Sequence, residues 1–305
     1  MNVNAITQEL YVRLEQHGYR GKIVPIEHLQ DLQKDLEGHR RTGALREELY
    51  QKYFAQLDYR VPTSLPAAQS CIIVAIPQPQ VKVSFTLNGT AIPLVIPPTY
   101  ADAIDVQVKN LLGHLLEPNG YHLEKMMLPL KLLAVRSGLA QYGKNNITYV
   151  PGMGSFQRLV AFCTDVPCLE DSWQAPQVME PCQTCSACLK GCPTGAIASD
   201  RFLLHAERCL TFHNEHTAEF PAWIEASWHH CVIGCLLCQK CCPVNQPVVT
   251  WIEEQATFSE DETALLLQGA TPDSLPSETA RKLEDLGILA DVALLPRNIE
   301  VLFRR

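Results

Sequence analysis

The chain has 305 residues, 47% of them hydrophobic, and its 25 Lys and Arg against 33 Asp and Glu give a formal net charge of −8. A chain of this length forms one large domain or two ordinary ones, and its acidic balance provides no overall attraction to nucleic acid or anionic lipid. No basic start followed by an apolar run opens the sequence, and no stretch reaches about 18 consecutive apolar residues. We therefore expect neither a signal peptide nor a membrane span.

The first half of the chain mixes helical and strand patterns, which predicts the α+β class. In chain order we predict a helix over 4–17, a charge-rich helical region to about 57, a strand over 71–76, a hairpin over 81–96, helices over 101–117 and 124–137, and strands over 147–150 and 156–163. The hairpin prediction depends on alternating apolar residues on both sides of Asn88-Gly89, which is a strong turn signal.

The pattern divides the chain into three predicted domains. Residues 1–170 form an α+β domain, and a proline- and acid-rich linker (166–181) leads into a cysteine-rich domain over 171–250. Residues 251–305 form a short helical tail that we expect to pack on the first domain.

The 13 cysteines are unevenly distributed, because only Cys71 precedes residue 160 and the other twelve lie between Cys163 and Cys242. Such clustering argues against a disulfide-stapled secreted domain. Without a visible export signal, we expect the chain in the reducing cytoplasm, where grouped cysteines usually bind metal.

The cysteine module has the C-x2-C-x2-C-x3-C-P spacing of bacterial ferredoxins, followed by a second C-x2-C-x3-C-P run. In this pattern the cysteine before each proline ligates the other cluster. The two predicted [4Fe-4S] ligand sets are Cys182, Cys185, Cys188 and Cys242 for cluster one, and Cys192, Cys209, Cys235 and Cys238 for cluster two. Structural zinc is the alternative, since C-x2-C pairs also bind Zn²⁺. Cys241 adjoins a predicted ligand and could compete with Cys242.

Three segments together resemble the epoxyqueuosine reductases, which are cobalamin-dependent iron–sulfur enzymes related in architecture to reductive dehalogenases. The segments are the cysteine runs 181–197 and 232–245 and the upstream stretch AVRSGLAQYGKN at 134–145. Gly154-Ser155-Phe156 lies where the family has Gly-Ser-Trp or Gly-Ser-Phe. The match extends from about residue 120 to residue 245.

The resemblance implies a nitroreductase-like N-terminal domain that holds base-off cobalamin, with two clusters that pass electrons to cobalt for reductive cleavage of a substrate. The family's acid lies 14 residues before the glycine that corresponds to Gly138, which points to Glu124, and His122 is a competing proton donor. The resemblance also implies corrin contacts from Tyr142, Lys144, Thr148 and Ser155.

The chain departs from the family at residues 97–105, where a basic segment is replaced by PPTYADAID. Three substrate classes stay open, namely a small molecule, a corrinoid protein and a modified tRNA base, and this departure and the charge of −8 disfavour the tRNA. We expect electrons from a ferredoxin or flavodoxin. The alternative function is an electron-transfer protein, for example a reductive activator of a corrinoid partner.

Overall fold

The computed structural model describes residues 1–304. The helices are α1 Val3–Gln16, α2 Leu29–Arg41, α3 Glu47–Tyr53, α4 Ile104–Leu116, α5 Leu130–Arg136, α6 Ala187–Gly191, α7 Leu210–Asn214, α8 Leu237–Lys240, α9 Glu260–Leu267, α10 Ser277–Asp285 and α11 Leu295–Phe303. The strands are β1 Arg20–Pro25, β2 Ser70–Pro77, β3 Gln80–Leu87, β4 Thr90–Ile96, β5 Leu123–Met126, β6 Gln141–Tyr142, β7 Thr148–Tyr149, β8 Gln157–Thr164 and β9 Ile252–Phe258. Within residues 1–304, no helix combines the length and the apolar character that crossing a membrane requires.

The chain forms two compact units, each built from two separate stretches. Unit 1 comprises Met1–Pro77 and Ile104–Gln183, and unit 2 comprises Gln78–Ala103 and the chain from Thr184 onward. The mixed helix and strand composition is confirmed. The units differ from the three predicted domains, because the β3–β4 hairpin, the tail and the cysteine module from Thr184 onward belong to unit 2, whereas Cys182 belongs to unit 1.

Unit 1 is a three-layer structure around an antiparallel sheet with the strand order β1-β2-β8-β5. Helices α2 and α5 cover one face with leucine side chains, and α1 and α4 cover the other. Strand β2 is buried on both faces: Cys71, Ile73 and Ala75 contact the first layer, and alternate residues contact the second. This arrangement explains the uninterrupted apolar run of the predicted strand, which is confirmed.

Unit 2 contains a three-stranded sheet in which β3 lies between β4 and β9. The predicted hairpin is confirmed, and its turn places Asn88 at φ 50° and Gly89 at φ 72°, the conformation that Asn-Gly favours. Strand β9, which the sequence pattern did not predict, pairs in parallel with β3. Phe85 and Phe258 stack at 4.6 Å between ring centroids in the core that joins this sheet to α9, α10 and α11.

The predicted helix over 124–137 is wrong in its first half. Residues Leu123–Met126 form the edge strand β5, and the helix begins only at Leu130. Pro129 explains the boundary, because a proline disfavours helical geometry in the residue before it and is tolerated at a helix start. Strand β1 was also missed, since its residues lie inside the region predicted as helical.

Candidate functional site

The two halves of the cysteine module have the same local structure. Cys188 lies inside the short helix α6, and Cys192-Pro193 follows that helix directly. Cys238 lies inside α8 in the same way, with Cys242-Pro243 just beyond its end. Proline cannot continue a helix, so each half turns sharply after its last cysteine.

Helices α6 and α8 contact each other closely where Gly191 meets Cys241. A side-chain Cβ on Gly191 would lie only 2.8 Å from Cys241 Sγ. The Cys241 thiol donates to the carbonyl of Ala187 at 3.4 Å and is 3.7 Å from that of Cys238. These contacts give Cys241 partners outside the two predicted ligand sets, and Cys242 stays the predicted ligand.

Within unit 2, the thiol of Cys192 affects the pKa values of two other predicted cluster ligands, Cys209 and Cys235. Burial raises the pKa of Cys209, and the nearby Cys192 raises it further. Burial also raises the pKa of Cys235, with added contributions from Cys231, Cys209 and Cys192. Thiols from three separate segments therefore influence one another electrostatically, and binding iron as thiolates would release protons.

This donor set fits the proposed cluster two. Within residues 1–304, no three His, Cys, Asp or Glu side chains are grouped so as to hold a single metal ion. A cubane cluster, in contrast, takes one thiolate at each of four irons, so its ligands surround a larger body. Cys192 Sγ lies 3.4 Å from Thr194 Oγ1, a contact in which either atom can donate. In the predicted set of cluster one, Ala187 N–H donates to Cys185 Sγ at 3.5 Å. Hydrogen bonds to cluster sulfurs tune the reduction potential.

Glu124 lies on the edge strand β5 of unit 1, directly opposite Cys163 of β8. Its carboxylate accepts a hydrogen bond from the Ser64 hydroxyl. Burial, together with the charge of Glu124, raises the pKa of the Cys163 thiol to about 11. Glu124 is therefore a half-buried strand residue with a defined partner, and it lies outside the helix predicted over 124–137.

His122 precedes the same strand and is tied to Asp165. Its backbone N–H donates to Asp165 Oδ1 at 2.7 Å, and its ring Nδ1 lies 3.0 Å from Oδ2. The His122 side chain is 68% exposed. The two predicted proton donors thus belong to one segment but have different surroundings, one half-buried and one at the surface.

The side chains predicted to contact a corrin are mostly buried in unit 1. Tyr142 is part of the core, and burial raises its pKa. Thr148 is buried, and both its hydroxyl and its carbonyl accept from the Gln157 amide at 3.0 Å. Ser155 is buried as well. Lys144 is half-exposed, with Nζ 3.4 Å from the Gln183 carbonyl. Of these four side chains, only that of Lys144 is half-exposed, and the other three are buried. The fit of this set to cobalamin is therefore partial, because buried side chains present little surface to a ligand.

The sequence pattern did not reveal the polar groups that hold β5 in place. Lys125 donates to Asp105 at 2.7 Å, and Arg158 donates to the same carboxylate at 2.6 Å. Asp105 is only 3% exposed, Arg158 is 19% exposed and Lys125 is 50% exposed, so a buried carboxylate of α4 pairs with one mostly buried cation from β8 and one half-exposed cation from β5. These residues and Ser64 are far apart in sequence, and no local motif connects them.

Comparison with known proteins identifies the cysteine module. Residues 181–245 match the family model described as a 4Fe-4S double cluster binding domain. This segment lies inside the predicted cysteine-rich domain and contains all eight predicted cluster ligands.

Several curated relatives are epoxyqueuosine reductases. That of Gloeobacter violaceus is 34% identical over 123 residues, which cover 40% of this chain and 37% of the relative. That of Cyclobacterium marinum is 32% identical over 114 residues, or 37% of this chain and 36% of the relative. The matched region thus spans a little over a third of these relatives, and the resemblance drawn from the motifs is confirmed.

Solved structures of epoxyqueuosine reductases have the same fold. The Streptococcus thermophilus structure superposes with a TM-score of 0.65 at 18% identity, covering 98% of this chain and 80% of the other. A structure with an epoxyqueuosine-modified tRNA-Tyr stem loop gives 0.64 at 21% identity, with 97% and 82% covered.

Proposed function

We propose that the chain is an iron–sulfur reductase of the epoxyqueuosine reductase type, with two [4Fe-4S] clusters that supply electrons for reductive cleavage of a substrate. The observation that carries the proposal is the match of residues 181–245, which contain all eight predicted cysteine ligands, to a 4Fe-4S double cluster binding domain. Cys238 completes cluster two, and Cys182, Cys185, Cys188 and Cys242 hold cluster one.

We extend the proposal to a base-off cobalamin held by a nitroreductase-like domain within unit 1. The support is the resemblance to cobalamin-dependent relatives, together with the surface that Lys144 offers. Cobalamin, when bound, supplies a strongly reducing cobalt centre for chemistry that side chains cannot perform. An external ferredoxin or flavodoxin would reduce the clusters.

Glu124 is the proposed proton donor for the cleaved bond. Its carboxyl is half-buried, and Ser64 orients it from the neighbouring loop. A carboxylic acid in this position would hold a proton at one oxygen and deliver it to the leaving oxygen of the substrate. His122 is the competing donor, and its contact with Asp165 would fix the orientation of the imidazole ring.

The proposed substrate differs from a tRNA base. The structure with the modified stem loop concerns a relative, whereas residues 97–105 of this chain contain no Lys or Arg and the net charge is −8. Phosphate contacts dominate nucleic-acid affinity, so a chain without that basic segment is better suited to a small molecule or a corrinoid protein. Reductive activation of a corrinoid partner, without substrate cleavage, is the second candidate.

The cofactor content tests the first part of the proposal. Anaerobically purified protein is expected to contain about eight iron and about eight sulfide per chain, since each cluster has four of each. Stoichiometric zinc without sulfide would contradict both iron–sulfur functions.

Cobalamin binding and substrate are tested on the same preparation. Added cobalamin should give the visible spectrum of the base-off form, and an unchanged spectrum would contradict the cobalamin proposal. An epoxyqueuosine-modified tRNA stem loop then serves as the substrate probe. Reduction of this stem loop at rates typical of enzymes would overturn the proposal of a different substrate.

A further inference from the structure

Asn298 of the C-terminal helix α11 joins two backbone segments of unit 2. It is 1% exposed. Its side-chain amide donates to the carbonyl of Asn214 at 2.9 Å and to the carbonyl of Val232, also at 2.9 Å. One side chain thus uses both of its N–H groups on carbonyls that are buried with it.

Each of these carbonyls lies close to a proposed ligand of cluster two. Asn214 is the last residue of α7, which begins directly after Cys209. Val232 is three residues before Cys235. Asn298 therefore connects the two backbone segments that carry these cysteines.

Arg297 fixes the orientation of the Asn298 amide. Its Nε and Nη2 donate to Asn298 Oδ1 at 3.2 and 2.9 Å. The same guanidinium donates to the carbonyls of His213, at 2.8 Å, and Ala218, and it lies 3.9 Å from the ring centroid of Phe220. With Oδ1 occupied by these donors, the Nδ2 group must face the two carbonyls.

A second link runs between the same two segments. The buried Asn214 side chain donates to the Gly234 carbonyl at 2.7 Å. Gly234 adopts a positive φ of 67°, and a Cβ there would meet the Tyr100 hydroxyl. The Cys235 loop is therefore held from the α7 side and confined by a tyrosine on the other.

We propose that Asn298 is a positioning residue for cluster two, because it holds the backbones of Cys209 and Cys235 at the separation that a shared cluster needs. This inference rests on the proposed ligand assignment. Cluster one draws none of its proposed ligands from the segments that Asn298 contacts, so loss of the amide should affect the two clusters unequally.

The test uses the full chain, purified anaerobically and reconstituted with iron and sulfide. Asn298→Leu keeps the size of the side chain but removes both donors. We expect iron and sulfide to fall from about eight to about four per chain. The electron paramagnetic resonance signal of the reduced protein should change from that of two clusters to that of cluster one alone. Cys209→Ala should lose the same signal.

Thr279→Val is the matched control. Thr279 is equally buried in the C-terminal part of unit 2 and donates to Glu262 at 2.9 Å, outside the cysteine module. This variant should keep about eight irons. The proposal is overturned if Asn298→Leu also keeps both clusters with unchanged potentials, or if it loses both clusters together.

A second variant decides the matter if Asn298→Leu does not fold. Arg297→Met removes the donors that orient the Asn298 amide but keeps Asn298 itself. This variant should shift the reduction potential of cluster two alone. An unshifted potential overturns the proposal. If Cys209→Ala keeps both clusters, the ligand assignment fails, and if the wild-type chain holds no iron and sulfide, the proposed function itself fails.

Discussion

Glu124 is a half-buried carboxyl on an edge strand, oriented by one hydroxyl. Positioned acids typically contribute a factor of 10²–10⁴ to a rate. We expect Glu124→Gln to lower turnover by about 10²-fold or more on whichever substrate the wild-type chain reduces, with iron content unchanged. Glu48→Gln, an exposed control on α3, should have no effect. Full activity in Glu124→Gln combined with a loss in His122→Asn would identify the histidine as the donor.

Asp105 is the buried acceptor for Arg158 and Lys125. Burial alone would raise the pKa of Asp105, but the two cationic donors outweigh it and hold this pKa below its usual value. The resulting stability is complete above the unfolded-state pKa of about 4 and is lost as the pH falls through the lower folded-state value. It is therefore an acid-sensitive contribution.

Asp105→Asn should lower the free energy of unfolding by about 3 kcal/mol near neutral pH, because it leaves Arg158 without its charge partner. Denaturant titrations at pH 7 and pH 3 provide the measurement. The difference between wild type and variant should shrink at the lower pH. A difference that is the same at both pH values would mean that the carboxylate charge is not the stabilising feature.

At the scale of elements, the contact between α6 and α8 depends on the missing side chain of Gly191. Gly191→Ala should push Cys241 out of its position, since the added carbon would lie 2.8 Å from Sγ, and iron content should fall. The double variant Gly191→Ala/Cys241→Ala should recover it. Cys241→Ala alone should keep about eight irons, whereas loss of iron in that variant would identify Cys241 as a ligand.

Elements with a strong local signal were predictable from the sequence. The β3–β4 hairpin is specified by Asn88-Gly89 and the alternation around it, and β2 by its short apolar run. Strand β9 was not, because five of its seven residues are exposed and it forms only through pairing with β3. Strand β5 was missed for a related reason, since its pairing with β8 overrides a sequence that also suits a helix.

In the candidate site, too, some residues could be predicted from the sequence and others could not. The cluster cysteines follow from spacing, because a short loop must place several thiols around one cluster. Ser64, Asp105 and Asn298 could not be predicted, since their partners are distant in sequence and are set by the tertiary fold.

At the scale of the molecule, the clusters should stabilise only part of unit 2. Helices α6, α7 and α8 have five, five and four residues, and helices this short do not persist alone. Removing iron with a chelator should therefore abolish hydrogen-exchange protection of the amides in α6, α7 and α8. Protection in β2 and β8 should persist, and its loss would contradict this localisation.

Because unit 2 is built from two separate stretches of the chain, its paired strands are synthesised at different times. Strand β3 leaves the ribosome early, but its parallel partner β9 lies some 170 residues later. At translation rates of about 5–20 residues per second, β3 is synthesised on the order of ten seconds or more before its partner strand β9. Throughout that interval the nascent chain exposes an unpaired apolar strand edge, which is the kind of surface that chaperones recognise.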